Sequence, residues 1–305
     1  MENESAHNSS HINELIDLFL ENLGQLKFSP ASIKTYQGAL LDFVRWLTGQ
    51  GKTDVRAITK GDIEAYRLGL VARHLADAGC HSYLRVVRKL FRYLEEQEHI
   101  LINPTADLVL STPTRRLQYV PNDEDIRALL DRIDTSVPYG IRNRAILETA
   151  YSTAARRSEL MGMNLRDLNL ENGTVRVMGK GQRERIVPLG RQAILWIRRY
   201  LDEVRPAWGD DTNEALWLAP GRTRLTGAAV HCELRRLWLE SGGTQKRIGL
   251  HCFRRSCATH MLRNGASPVE IQMLLGHSCL RHLRQYLQVS MTDLQAAHAA
   301  SKPGQ

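Results

Sequence analysis

The sequence predicts a mainly α protein with a small β-sheet, divided into a helical N-terminal part and an α+β C-terminal part. Three observations carry that expectation. Apolar residues recur at helical spacing along most of the 305-residue chain, and a single β-branched hairpin, GTVRVMGKGQRERIVPL, interrupts them from Gly173 onward. Asn103-Pro104, followed by the polar stretch STPTRRLQYVPNDED, separates the two parts. The expected limits are a helical domain over 1–110, a linker over 111–121 and a second domain over 122–305. Each part is long enough to bury a core of its own.

The elements follow in order. Ile12, Leu15, Ile16, Phe19, Leu20 and Leu23 share a helical face over 11–23. Ser29-Pro30 supplies a helix start, and Ile33, Tyr36, Leu40, Val44 and Leu47 carry the period to Gly49. Thr59 with Asp62 fits a capping box opening a third helix. A fourth helix, over 82–98, turns Leu84, Val87, Leu90, Phe91 and Leu94 inward and carries Arg85, Arg88, Lys89 and Arg92 on or near the opposite side. Beyond the linker, helical patterns cover 123–133, 141–151, 190–203, 226–240, 251–263, 268–275 and 279–288.

Composition narrows the function classes. With 43% hydrophobic and 24% charged residues the chain is ordinary globular protein. The opening MENESAHNSS is polar and acidic, unlike a targeting signal, and no apolar run reaches membrane-spanning length, so a cytoplasmic protein without a membrane partner is expected. Five cysteines, an odd number with no CxxC pair, fit reduced thiols better than a disulfide framework or a zinc ribbon. The net charge of +8 is unevenly spread: residues 1–112 hold 12 basic against 14 acidic residues, and the remainder 29 against 19. That C-terminal surplus suits a polyanionic partner, nucleic acid first, although a merely soluble basic surface has the same composition.

Four stretches hold polar residues that local structure does not require. In YSTAARRSEL, Arg156 and Arg157 follow two alanines small enough to admit a close ligand, while a solvent-facing pair fits the same letters. Lys180 stands between two glycines at the hairpin tip, in a region where 26 of 29 cations are arginine. Lysine can release a proton where arginine cannot, which suits a general acid. In HCFRRSCATHML, His251 and Arg254 are three apart and share a helix face near its N-terminus, a place that favours anions. A metal site from His251, Cys252, Cys257, His260, His277 and Cys279 would match no usual zinc spacing. The fourth stretch, LLGHSCLRHLRQY, sets His277 nine residues before Tyr286. A late helix tyrosine is by itself far more often a core residue than a nucleophile.

Together TAARRSEL, GKGQRERIVPL, HCFRR and LGHSCLRHLRQY, in that order, resemble the tyrosine recombinases, or phage integrases, and most of all their compact Xer-like members. The resemblance spans nearly the whole chain. It implies a SAM-like, core-binding helical N-terminal domain followed by the α+β tyrosine recombinase catalytic domain. On this chain the family's catalytic positions fall on Arg156, Lys180, His251, Arg254, His277 and Tyr286. It departs where Ala154-Ala155 replace the usual Gly-Leu, where Arg157 takes a commonly apolar place, and where the segment before Tyr286 is rich in Arg and His.

The resemblance implies that Tyr286 attacks a DNA phosphate to give a 3′-phosphotyrosyl bond and a 5′-hydroxyl. Arg156, Arg254 and His277 would hold the phosphate oxygens, His251 would serve as base and Lys180 as acid. No cofactor and no metal is expected, since the sequence has no GxxxxGK[ST] and no magnesium-type carboxylate cluster. Expected partners are a double-stranded DNA recombination site and further copies, a tetramer on two sites; a need for a related recombinase subunit stays open. Arg85, Arg88, Lys89 and Arg92 are the candidate DNA contacts of the N-terminal domain. A type IB topoisomerase-like nicking and closing enzyme, or a non-catalytic DNA-binding accessory protein, would share much of this pattern.

Overall fold

The computed structural model describes residues 2–110, 119–179, 183–209, 212–242 and 248–276, with side chains from His11 onward. The chain forms two compact units, 1–116 and 117–305.

The first unit is a four-helix bundle: α1 (Glu2–Gln25), α2 (Pro30–Gly49), α3 (Lys60–Ala72) and α4 (Asp77–Glu96). The Ser29 side chain accepts from the Ser32 amide ahead of Pro30, and Thr59 and Asp62 close both halves of a capping box. Inside, the Phe43 ring meets Tyr66 edge-on at 4.8 Å, with Phe91 and the leucines of α2 and α4 around them. The fourth helix starts at Asp77, five residues before the expected 82, and ends at Glu96. Ala76 caps it without a side-chain bond, so the start carries no Ser or Thr signature. Val86 joins the expected inward residues in the core.

The second unit opens with α5 (Asp123–Asp131) and the buried α6 (Pro138–Thr153), followed by the short α7 (Arg157–Gly162). The hairpin strands β2 (Thr174–Met178) and β3 (Glu184–Pro188) pair antiparallel, Val175 opposite Val187. A two-residue strand β1 (Leu168–Asn169), too short to leave a periodic signal, adds a third strand in the order β1-β2-β3. Next come α8 (Arg191–Glu203), α9 (Arg205–Trp208), α10 (Gly227–Glu240), α11 (Leu250–Arg263) and α12 (Pro268–Leu275). His277 and the expected 279–288 helix, with Cys279 and Tyr286, lie outside the described residues, as do the hairpin tip with Lys180 and most of the expected linker.

Helix α6 is the spine of this unit. Residues from Gly140 to Thr153 are buried on nearly every side, which hides its amphipathic signal and explains a pattern shorter than the helix. Helices α8 and α11 pack on it, and Trp217, fully buried, donates its indole N–H to the Leu160 carbonyl of α7. No described helix is long and apolar enough to cross a membrane.

Candidate functional site

The site is built where α6 ends. Ala154, fully buried, takes the left-handed conformation at φ 48° and ψ 27° and stops the helix. The chain then turns directly into α7, with Arg156 as its N-cap and Arg157 as its first residue. Arginine cannot cap through an oxygen, so Glu159, three residues on, receives the backbone N–H of Arg156 at 2.8 Å. The Arg224 guanidinium donates to the carbonyls of Met161 and Met163 just beyond, and with Trp217 fixes the other end of α7.

Glu159 is the hub of the site. It is 5% exposed and accepts from Arg156 Nη1 at 2.7 Å and from Arg185 Nη2 at 2.8 Å, with Arg254 Nη1 at 4.0 Å. Burial alone would raise its carboxyl, but the Arg185 bond and the backbone and side-chain bonds of Arg156 outweigh it and hold the pKa at about 2. It is therefore ionised at any pH near neutrality and holds several cations in one place.

Arg254 reaches this point from the opposite side. It leaves α11 and is buried, with Nη1 donating to the Ala154 carbonyl at 2.6 Å and Nη2 to the Leu275 carbonyl at 2.7 Å. The left-handed turn at Ala154 and the end of α12 are thereby tied to one guanidinium. One turn earlier on the same helix, His251 is exposed. Partial burial, followed by the charges of Arg255, Arg157, Arg254 and His231, lowers its pKa below the ordinary imidazole value. At neutral pH His251 is a neutral imidazole in a cationic setting.

Arg157 lies flat against the start of α10. A Cβ on Gly227 would stand 2.8 Å from its Cδ and 2.9 Å from its Cγ, so only glycine leaves room for the stem. His260, nine residues after His251 and hence on the opposite face of α11, has Nδ1 2.8 Å from Asp123 and 2.9 Å from the Tyr151 hydroxyl. Cys252 and Cys257 are buried thiols, and Arg255 Nη2 donates to Cys252 Sγ at 3.3 Å. Among the described residues no three His, Cys, Asp or Glu side chains converge as a metal site would require.

Of the expected catalytic residues the structure brings Arg156 and Arg254 onto Glu159 and sets His251 one turn before Arg254 on α11, within reach of the Arg254 charge; Lys180, His277 and Tyr286 lie outside the described residues. Glu159 and Arg185 were not anticipated. The only available signal for Glu159 was the R-x-x-E spacing from Arg156, and for Arg185 a charged letter two places before Val187, on the inward face of a short strand.

On the first unit, the four candidate DNA contacts of α4 are all exposed. Lys89 Nζ stands 4.4 Å over the Phe28 ring, Arg92 pairs with Glu96 at 2.8 Å, and Arg88 donates to the Leu108 carbonyl at 3.4 Å.

Comparison with known proteins places this architecture. The model of the phage integrase family matches residues 121–293, and that of the phage integrase N-terminal SAM-like domain residues 16–98. Tyrosine recombinase XerD of Listeria innocua is 32% identical over 296 residues, covering 96% of this chain and 99% of that protein. Tyrosine recombinase XerC 2 of Ralstonia nicotianae is 31% identical over 284 residues, covering 90% and 82%. Among solved structures, XerH site-specific recombinase in a post-cleavage complex with a palindromic difH substrate shares the fold, with a TM-score of 0.74 at 23% identity, over 88% of this chain and 79% of that one. A lambda integrase dimer bound to a COC' core site gives 0.72 at 18% identity, over 90% and 94%. The helical SAM-like unit, the α+β unit and this sequence kinship make the chain a member of the phage integrase family, a Xer-type tyrosine recombinase that cuts and rejoins DNA strands site-specifically.

Proposed function

We propose that the pocket around Glu159 holds one phosphate of a double-stranded recombination site while Tyr286 attacks it, leaving a 3′-phosphotyrosyl bond and a free 5′-hydroxyl. The observation that carries this reading is the convergence of Arg156 and Arg254 on one buried carboxylate from two different helices. Arginine presents five N–H donors, and Glu159 engages Arg156 through a single edge nitrogen. The rest of the fork suits two non-bridging oxygens whose charge grows in the transition state.

A phenol with a pKa near 10 is only about one part in a thousand ionised at pH 7, so Tyr286 needs a base or electrostatic help. His251, kept neutral by its surroundings, can accept that proton. Lys180, on the hairpin that leads into β3, is assigned to protonate the departing 5′-oxygen, and His277 to complete the oxygen contacts. Each such proton transfer is worth about 10² to 10⁴ in rate. Because the bond energy is kept in the phosphotyrosine, a partner strand's 5′-hydroxyl can reverse the step, and strands exchange without an external energy source.

The helical domain over 1–110 and the catalytic domain over 122–305, joined by 111–121, would clasp the duplex, with Arg85, Arg88, Lys89 and Arg92 on its phosphates. Four copies would act on two sites in the cytoplasm. The test uses nicked duplexes, which trap the covalent product by losing the short 5′-hydroxyl strand. The chain should form a denaturation-resistant adduct and Tyr286→Phe should bind the same duplex without forming one; an adduct with the phenylalanine variant rejects the assignment.

A further inference from the structure

The strand β3 carries an arginine to which the mechanism above gives no part. The Arg185 side chain is 13% exposed and makes two directed bonds, Nη2–H to Glu159 Oε2 at 2.8 Å and Nε–H to the Leu274 carbonyl at 3.0 Å. Leu274 lies in the last turn of α12, and Gly276 caps that helix in the left-handed conformation at φ 60°. Gly276 also rests on the same guanidinium: a Cβ there would stand 3.0 Å from Arg185 Cδ, 3.1 Å from Nη1 and 3.2 Å from Cζ. One planar group therefore touches β3, α7 through Glu159, and the exit of α12.

Those three segments lead to the assigned catalytic residues. Lys180 is five positions before Arg185 on the hairpin, Arg156 is held by the carboxylate that Arg185 holds, and His277 directly follows Gly276. We propose that Arg185 is a positioning residue, orienting Arg156 through Glu159 and fixing the end of α12 from which His277 emerges. It rests on the reading of Arg156 as a phosphate ligand. The two bonds leave from adjacent nitrogens of a rigid fork, a geometry that a lysine ammonium can match at one acceptor only. Glu159 holds the Arg156 guanidinium through Oε1, while its Oε2 is shared between the Arg156 backbone N–H and Arg185. Without Arg185, Oε2 keeps only the Arg156 backbone N–H at 2.8 Å and Arg254 at 4.0 Å, so the carboxylate can pivot about that one bond and draw the Arg156 guanidinium out of line.

A structural ion pair would predict something different, namely lost stability with no tie to the phosphate. The experiment separates the two. Nicked duplexes are selected by covalent capture on the wild-type chain from a pool with randomised arms. Single-turnover adduct formation, duplex affinity and thermal melting are then measured for wild type, Arg185→Lys, Arg156→Ala and the double variant. Arg185→Lys should form adduct about ten- to a hundredfold more slowly, with affinity unchanged, as is typical for residues that orient a reacting group from behind. In the double variant the loss should be no greater than for Arg156→Ala alone. On a duplex with a methylphosphonate at the cleaved position, where a charged oxygen is replaced by methyl, the Arg185→Lys deficit should shrink together with that of Arg156→Ala.

Gly276→Asn provides a second variant that keeps Arg185 but crowds it, since asparagine tolerates the left-handed backbone; it should slow the same step and respond to the methylphosphonate in the same way. Wild-type rates in Arg185→Lys, additive losses in the double variant, or an equal deficit on both phosphates would overturn the inference. If the wild-type chain captures no duplex at all, the phosphate-cleaving reading itself falls, and this inference with it.

Discussion

At the scale of single residues, the site is one carboxylate surrounded by arginines. Glu159 is what allows Arg156 and Arg254 to sit together: two guanidiniums without an intervening anion would repel, and a buried unpaired charge is costly. Ala154 shows how a departure from the family pattern is tolerated. An alanine in the left-handed region costs about 1–2 kcal/mol. Against that, glycine would lose about 0.5–1 kcal/mol through unfolded-chain entropy, and a buried methyl contributes about 0.8 kcal/mol. The opposing amounts nearly cancel, so Ala154 can hold its carbonyl toward Arg254 as the usual glycine would. For His251 the lowered pKa fixes a sign: the imidazole is protonated only below its ordinary value of about 6.5, and its basic form prevails above. The kcat/KM for adduct formation should therefore rise with pH along an acid limb centred below about 6.5 and level off by neutrality. His251→Ala should lose that limb; a limb that persists in the variant assigns the base elsewhere. The sequence displayed Arg156, His251 and Arg254 because motif spacing is a local property. Glu159 and Arg185 were hidden because their meaning lies in a bond between residues 26 positions apart.

At the scale of elements, helix starts with side-chain caps, at Ser29 and Thr59, were legible because the capping atoms lie within three residues of each other. The start of α4 was misplaced because its cap has no side-chain bond, and β1 was missed because two residues cannot show a period. The outward face of α4 combines Arg85 with an arginine in a local ion pair, an arginine on a carbonyl and a lysine over an aromatic ring. Exposed pairs of this kind are worth about 0–1 kcal/mol, which a phosphate can replace. Replacing Arg85, Arg88, Lys89 and Arg92 together by alanine should flatten the dependence of log K on log salt by about 0.9 for each phosphate that the variant leaves unneutralised. An unchanged slope in a folded variant would remove this face from the DNA interface.

At the scale of the whole molecule, the chain divides into units 1–116 and 117–305, with Leu108 and Leu110, beyond the Asn103-Pro104 break, still packed on the first core, and the charge asymmetry was visible in composition alone. The basic surplus belongs to the part that contains the arginine pocket, while the bundle offers a basic face on an acidic body. Family membership follows from both units together, since each matches its own domain model. In the proposed reaction one tyrosine, Tyr286, carries the DNA. The most direct measurement is to capture the adduct on a nicked duplex, digest the protein and DNA, and locate the residual nucleotide on the peptides by mass spectrometry. A 3′-linked nucleotide is expected on Tyr286 and on no other of the nine tyrosines. A nucleotide on a different residue, or one linked through its 5′ end, would contradict it.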